Sequence, residues 1–256
     1  MKVAHIVPIN HLSQIKGNSI QMCLAPIAKQ YPEYLNFYKE ESKNGSFVIL
    51  DNGMFEGALL PNQEIIELAT EIQASEIVAP DYLGSSQKTI EAIESFAKVS
   101  GSFAIMVVPH GNTFDSLVRC FKRLYIEREQ LYINTFGFSY LSFETATRQI
   151  RSIFAPHIIK APWWKEKVAC HLLGVTKSLI GIAELALLDN FRFFRSLDTS
   201  LAACVTAHGH ELKGENQELE ESHFSRPEKF FELILDNDLL ERNLGLLECF
   251  ANVNYK

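Results

Sequence analysis

Short apolar runs recur along the chain and are separated by amphipathic segments. Their nearly continuous apolar composition is typical of strands that are buried on both faces. The runs are Val3–Ile9, Phe47–Leu50, Glu76–Ala79, Phe103–Val108, Leu131–Phe136, Cys170–Val175 and Phe191–Leu197. The alternation of such runs with helical segments predicts parallel strands joined by right-handed crossovers.

The clearest predicted helix begins at Ser85 and Ser86 and ends before Gly101, which supplies a start cap and a stop residue. Its apolar face consists of Ile90, Ile93, Phe96 and Ala97. A second amphipathic segment follows Thr113. The spacing of the strands and the absence of a G-x-G-x-x-G turn after the first one favour a TIM-type (β/α)8-like barrel over an open doubly wound sheet.

The predicted organisation is a barrel over residues 1–207, an acidic polar loop over 208–225 and C-terminal helices over 226–256. No run provides a clear eighth strand, so the barrel is expected to be irregular there. The segment after Ser225 resembles a capping box and leads into two apolar segments. Two closing helices are therefore expected to pack on the barrel where a strand is missing.

Composition and charge narrow the functional classes. The 256 residues are 47% hydrophobic, enough for one large core, and the five cysteines include no C-x-x-C pair, as expected of reduced thiols in the cytoplasm. No apolar stretch has the length of a membrane span or a signal segment. The formal charge of −7 opposes non-specific attraction to phosphates, so contact with nucleic acid would need a local basic surface.

Two clusters of basic residues are candidates for such a surface. The first, on a predicted helix, reads as a solvated outer face and consists of Arg119, Lys122, Arg123 and Arg128. The second has adjacent tryptophans flanked by lysines and consists of Lys160, Trp163, Trp164, Lys165 and Lys167. Here the indole rings could stack on unpaired bases while the lysines follow the phosphates, and the alternative is burial of at least one tryptophan.

Three aspartates directly follow predicted strands. In a TIM barrel the active site is built from the carboxyl ends of the strands, so Asp51, Asp81 and Asp198 are expected to converge at one mouth. The alternative is that each aspartate caps the following helix. Capping suits Asp198 best, because Thr199 and Ser200 follow it directly.

Converging carboxylates suit glycosyl transfer. An ionised carboxylate can attack a sugar carbon at neutral pH, and a second can pass a proton to the leaving group and later retrieve one. A third can accept hydrogen bonds from the N–H edge of a purine-like base, which rejects substrates that lack those donors. From the residues alone, the roles of the three aspartates stay unassigned.

Motifs around these aspartates occur in the order found in one family. Asp51–Glu56 (D-N-G-M-F-E) resembles D-S-G-G-[FY]-Q, and Asp81 lies where that family has an aspartate. Gly137–Ser139 resembles G-L-[AS], Leu172–Val175 resembles Y-L-M-G-V, and Leu197–Leu201 lies where the family has F-D-C-V-L. Over about residues 1–205 the chain therefore resembles the queuine/archaeosine tRNA-guanine transglycosylase superfamily.

The resemblance implies roles for individual residues. Asp198 would be the nucleophile at C1′ and Asp51 the general acid/base, while Asp81 would bind the edge of the base. Among the remaining substrate-binding residues that it implies, Phe55 would stack on the ring, the Gly137 backbone would contact the base carbonyl and Leu173 would close the pocket. The others are Phe138 and Gly174, beside them in the motifs, and His110, near the family's Gln-Gly-Gly turn.

The chain departs from the tRNA enzymes because it lacks the spacing of their cysteine/histidine zinc site. This makes it most similar to the DpdA-type transglycosylases that place 7-deazaguanines in the DNA of phages and bacteria. The implied partners are DNA, with tRNA second, and a free base such as 7-cyano-7-deazaguanine. No metal or redox cofactor is expected, and His208, His210 and His223 are read as solvated. The resemblance alone also implies that the protein forms a homodimer and that it is located in the cytoplasm, which is the host cytoplasm if a phage encodes it.

Two other functions stay open. The same carboxylates could hydrolyse the N-glycoside of a nucleoside or nucleotide, with water as the acceptor. A barrel without activity could bind nucleic acid or a protein through Trp163 and Trp164.

Overall fold

Eight parallel strands form the centre of the molecule. The structure, a computed structural model, describes residues 1–148, 151–165, 168–174, 194–212 and 226–252. The strands are β1 Lys2–His5, β2 Ile20–Leu24, β3 Phe47–Asp51, β4 Glu76–Val78, β5 Ala104–Val107, β6 Ile133–Ser139, β7 Ala169–Leu173 and β8 Phe194–Thr199. Their order is β1-β8-β7-β6-β5-β4-β3-β2, and the edge strands β1 and β2 contact each other. The predicted TIM-type barrel, nearly closed, is confirmed.

Helices connect most of the strands on the outside of the barrel. They are α1 Ala25–Gln30, α2 Pro32–Lys43, α3 Asn62–Ile72, α4 Ser86–Ala97, α5 Phe114–Ile126, α6 Tyr140–Thr147, α7 Arg151–Ile159, α8 Leu201–Ala207 and α9 Asn237–Asn252. The segments Ile9–Ile15 and Phe230–Glu232 are 3-10 helices. In the described part of the chain, no helix is long and apolar enough to cross a membrane.

The strand that the sequence pattern missed is β2. It follows β1 after a single 3-10 helix, so its spacing is shorter than that of the other strands. The polar residue Gln21 also interrupts its apolar run. Gln21 is nevertheless fully buried, and its amide donates to the Ile15 carbonyl at 2.7 Å and to Glu41 at 3.1 Å. The C-terminal helices therefore do not replace a strand.

Within the described residues 226–252, the C-terminal segment forms one 3-10 turn and one α-helix rather than two α-helices. The segment predicted as the first helix forms only the 3-10 turn Phe230–Glu232, which follows Lys229 in a left-handed conformation and ends at an extended Leu233. The helix α9 packs on α8 and β1. Asn243 joins α9 to α8, because its side chain donates to Thr206 Oγ1 and to the His210 carbonyl, both at 3.0 Å. Most of segment 208–225 lies outside the described residues.

An aromatic cluster fills the space between β6 and α5. Phe136 and Phe138 point outward from β6 and contact Phe121 of α5. Trp164 is buried in the same cluster, and its ring stacks on Tyr125 at 4.9 Å between centroids. The indole is therefore buried and used for packing, and the expected stacking of Trp164 on unpaired bases is not compatible with this position.

The rest of the tryptophan–lysine cluster lies at the end of the barrel away from the aspartates. Segments that enter a strand lie at the amino ends of parallel strands, and this cluster precedes β7. Trp163 is half-buried and packs edge-on against Tyr125 and Trp164. Lys160 and Lys165 are exposed there, and Lys167 lies outside the described residues.

We expect Trp164→Ala to lower the free energy of unfolding by about 3–5 kcal/mol, the usual loss for truncating a buried aromatic residue. Chemical denaturation monitored by circular dichroism measures this. The neighbouring Lys165→Ala removes an exposed side chain and should change stability by less than about 0.5 kcal/mol. Equal stability of the two variants would contradict the buried position of Trp164.

Candidate active site

A cavity of about 640 Å³ opens at the carboxyl ends of the strands. Asp51, Asp81 and Asp198 all line it, at the ends of β3, β4 and β8. The side chains of Met22 in β2 and Val108 after β5 face the cavity and form part of its apolar wall. The convergence that the strand-end rule predicts is therefore present in the structure.

Asp198 is held through one of its carboxylate oxygens. Oδ1 lies 3.2 Å from Nε2 of His171 and accepts the backbone N–H of Gly174 at 3.1 Å. Gly174 has φ 68°, in the left-handed region that glycine adopts most easily, and this turns its N–H toward the carboxylate. His171 itself is fully buried in β7.

Helix capping does not explain the aspartates. Helix α8 begins after Asp198, but its first N–H, that of Leu201, is bound by Thr199 Oγ1 at 3.0 Å. Helix α4 is capped by Ser85, whose hydroxyl accepts the Lys88 N–H. Asp51 accepts the N–H of Gly53 in the loop before α3. None of the three aspartates therefore caps a helix, and their carboxylates can interact with a molecule in the cavity.

Asp81 is held through both of its oxygens. Oδ1 accepts the side-chain amide of Asn52 at 2.6 Å, and the same amide donates to the Ala79 carbonyl at 2.8 Å. Oδ2 forms a short hydrogen bond with Nε2 of His110. Nδ1 of His110 lies 2.8 Å from the hydroxyl of Ser142 in α6. These contacts fix the direction in which Asp81 faces the cavity.

Asp51 has a markedly altered acidity. Burial raises the pKa of its carboxyl group well above the ordinary value, and the negative charge of Glu56 raises it further. The hydrogen bond from the Gly53 N–H lowers the pKa, whereas the charges of Asp198 and Asp81 raise it. The raised pKa favours the protonated form of the Asp51 carboxyl group.

An arginine lies at the mouth of this acidic cavity. Arg226 forms an ion pair with Glu56, and its Nε donates to Ser200 Oγ at 3.3 Å. Its guanidinium carbon lies 5.2 Å from the centre of the Phe55 ring, and 61% of Phe55 is exposed. One oxygen of Glu56, Oε2, is buried without a hydrogen-bond partner among the described residues.

The other predicted substrate-binding residues separate into two groups. Phe55, His110, Leu173 and Gly174 line the cavity. Gly137 lies beneath it, because a Cβ at this position would come within 2.5 Å of Leu173 Cδ1. Phe138 does not reach the cavity, since it points outward and packs against Phe143 with ring centres 5.9 Å apart. Its assignment to the base pocket is therefore corrected.

Sequence reasoning missed four residues that shape the cavity: Asn52, His171, Glu56 and Arg226. His171 and Leu173 are two positions apart in one strand, so their side chains share the inner face of the barrel, and this alternation was an available signal. Asn52 and Glu56 belong to the motif that begins at Asp51. Arg226 carried no such signal, because only the folded chain brings the C-terminal segment to the mouth.

The described part of the chain contains no group of side chains arranged as a metal site. No set of three or more histidine, cysteine, aspartate or glutamate side chains there has an arrangement that could hold a metal ion. His208 and His210 follow α8, and His223 lies outside the described residues.

We expect Asp51→Asn to stabilise the protein at neutral pH, because asparagine is neutral without having to retain a proton that the unfolded chain releases, and it keeps an oxygen for the Gly53 N–H. The wild type loses stability as the pH rises from the ordinary aspartate pKa to the raised one, by about 1.4 kcal/mol for each tenfold difference in proton affinity. Urea denaturation between about pH 3 and pH 8 measures this.

The gain from Asp51→Asn should vanish at about pH 3, below the ordinary aspartate pKa, where both states of the wild type carry the proton. The exposed Asp238→Asn serves as the control and should show no such trend. A gain that is independent of pH would contradict the raised pKa of Asp51.

Comparison with known proteins does not assign the chain to a family. No protein-family model matches its sequence, and no curated protein matches it significantly. The chemistry of the cavity is therefore argued from its own geometry and from the motif resemblance.

Proposed function

We propose that the protein exchanges guanine in DNA for a free 7-deazaguanine by two displacements at C1′, with tRNA as the second candidate polymer. The supporting observation is the placement of Asp51, Asp81 and Asp198 in one cavity with three different surroundings. Carboxylates whose environments separate their proton affinities can divide the tasks of acid, nucleophile and binding group. The order of the family-like motifs supports the same division.

In the first displacement, Asp198 attacks C1′ of the target nucleotide. An oxygen of Asp198 forms a bond to C1′ as the bond from C1′ to N9 of guanine breaks, which gives a covalent glycosyl–enzyme ester. The hydrogen bonds from His171 and Gly174 to Oδ1 orient the carboxylate for this attack.

Asp51 moves the proton in both displacements. Its raised pKa favours the protonated form, which donates to the departing guanine. The resulting carboxylate then removes the N9 proton of the incoming 7-deazaguanine. N9 attacks C1′, the ester bond to Asp198 breaks, and both aspartates return to their starting states. Two inversions leave the configuration at C1′ unchanged.

Asp81 provides the acceptor for the base. Each carboxylate oxygen can accept two hydrogen bonds, so Asp81 retains acceptor capacity beyond the contacts with Asn52 and His110. The N–H groups of a guanine edge match these free positions. A base without such donors would leave the buried carboxylate unpaired, which gives the site its selectivity.

The rim of the cavity has apolar side chains that could contact a base turned out of a nucleic-acid duplex. Phe55, Tyr82 and Leu83 are large apolar side chains that stay exposed in the loops after β3 and β4. Such a surface can receive a base turned out of a duplex, a step that costs about a few kcal/mol. Arg226 adds a positive charge at the same mouth, suited to a phosphate.

We expect Asp198→Ala to abolish the covalent intermediate. Guanine-containing DNA is incubated with the protein, denatured and separated by gel electrophoresis, and exchange is followed with labelled guanine. Wild type and the control Asp238→Ala, which changes an exposed residue of α9, should both give the adduct and the exchange. An adduct or normal exchange with Asp198→Ala would show that the nucleophile is another residue.

Added 7-deazaguanine distinguishes the alternatives. Incorporation of the base into DNA supports exchange, and loss of guanine without incorporation indicates N-glycoside hydrolysis. Binding of nucleic acid that survives loss of both Asp51 and Asp198, with no product, indicates a barrel without activity. Mass spectrometry of nucleosides from DNA and tRNA of cells that express the protein identifies the polymer that carries the modified base.

A further inference from the structure

A chain of buried polar side chains runs through the interior of the barrel toward Asp198. Nε of Arg195 lies 3.4 Å from the hydroxyl of Ser196, and that hydroxyl lies 2.7 Å from Nδ1 of His171. Nε2 of His171 lies 3.2 Å from Asp198 Oδ1. Ser196 and His171 are fully buried. The four groups thus connect the start of β8 to its end through β7.

An irregularity in β8 creates this chain. The ladder between β7 and β8 pairs Cys170 with Phe194 and then His171 with Ser196, so that Arg195 is skipped. A bulge of this kind redirects side chains. As a result, Arg195 reaches Glu76 across the barrel at 2.7 Å, while Ser196 faces His171. The contact between Glu76 and Thr135 of β6 completes the anchor of the arginine.

The direction of the hydrogen bonds follows from chemistry. An arginine can only donate, so the Ser196 oxygen accepts from Arg195. The hydroxyl hydrogen of Ser196 then has Nδ1 of His171 as its acceptor among the described contacts. In the proposed reaction Asp198 is ionised and can only accept, so Nε2 of His171 carries the proton and donates to Oδ1, and the neutral ring leaves Nδ1 to accept from Ser196. The second nitrogen of a histidine is set in this way by the partner of the first.

The chain leaves the two oxygens of Asp198 in different states. Oδ1 accepts from both His171 and Gly174, whereas Oδ2 has no hydrogen bond to a described residue. At Asp81 the pattern differs, because both oxygens have partners there. A carboxylate held at one oxygen presents the other to the cavity with a free lone pair.

We propose that Ser196 and His171 are positioning residues that hold Asp198 Oδ1 and thereby make Oδ2 the oxygen that attacks C1′. This rests on the proposed base exchange. The orientation of Asp198 should matter in the displacement more than in binding, so its loss should lower kcat and kcat/KM together and leave KM unchanged.

The first test is independent of activity and uses nitrogen-15 NMR of the labelled protein, with His171 assigned by comparison with His171→Gln. We expect His171 to be neutral, with its proton on Nε2. In Ser196→Ala, which removes the hydroxyl that fixes Nδ1, a population with the proton on Nδ1 should appear. A proton on Nδ1 in the wild type, alone or together with one on Nε2, would overturn the proposal.

The second test measures the rate at which the covalent adduct forms. We expect Ser196→Ala to lower this rate about ten- to hundredfold, the usual effect of removing an outer hydrogen-bond partner of an active group. Ser100→Ala is the matched control, because Ser100 is an equally buried serine at the end of α4. It should leave the rate unchanged.

Variants of His171 show whether the donor itself is required. Glutamine can place an amide N–H near the position of Nε2, whereas leucine fills the space without a donor. We expect His171→Gln to retain more activity than His171→Leu at similar thermal stability. Equal rates in these two variants would overturn the positioning role.

The two proposals fail in distinguishable ways. If the wild type gives no adduct and no exchange with any nucleic acid, the proposed function fails, while the NMR result still decides the state of His171. If the wild type exchanges bases and Ser196→Ala does so equally fast, the positioning role fails and the proposed function stands.

Discussion

The barrel buries several carboxylates, and each one must find donors inside the protein. A buried charge without partners costs far more than a domain of this size can tolerate. Asp81 and Asp198 therefore receive hydrogen bonds from residues that follow neighbouring strands, Asn52 and Gly174, and Glu76 receives one from Arg195 across the barrel. This requirement explains why the polar side chains inside the barrel form hydrogen-bonded groups beside apolar residues such as Met22 and Val108.

The three cavity aspartates have different numbers of hydrogen-bond donors around them, and this gives their carboxylates different chemical properties. Asp51 has one backbone donor and several negative neighbours, so its pKa is raised. Asp81 is held at both oxygens, and Asp198 at one. A proton donor, a fixed acceptor and a carboxylate with a free oxygen thus stand in the same cavity, and this combination supports the proposed double displacement.

The two ends of the barrel differ in the groups that they carry and in the exposure of those groups. At the amino ends of the strands, Glu76 and Arg195 form an ion pair and Trp164 packs in an aromatic cluster outside the sheet. At the carboxyl ends, loops carry the aspartates, Phe55 and Arg226. Packing and ion pairing therefore stabilise one end, while the other end leaves polar groups accessible to a substrate. This separation is the general pattern of TIM barrels.

The sequence by itself determined the barrel class, seven of the eight strands and the three aspartates, because strand periodicity and the residues after each strand are local signals. It did not identify β2, where Gln21 interrupts a short apolar run and its amide N–H groups find their acceptors, the Ile15 carbonyl and Glu41, only in the folded chain. The tertiary structure alone placed Trp164 in the core and brought Arg226 to the cavity. It also decided the partners of each aspartate, because hydrogen bonds between distant strands depend on the register of the sheet, which no local pattern encodes.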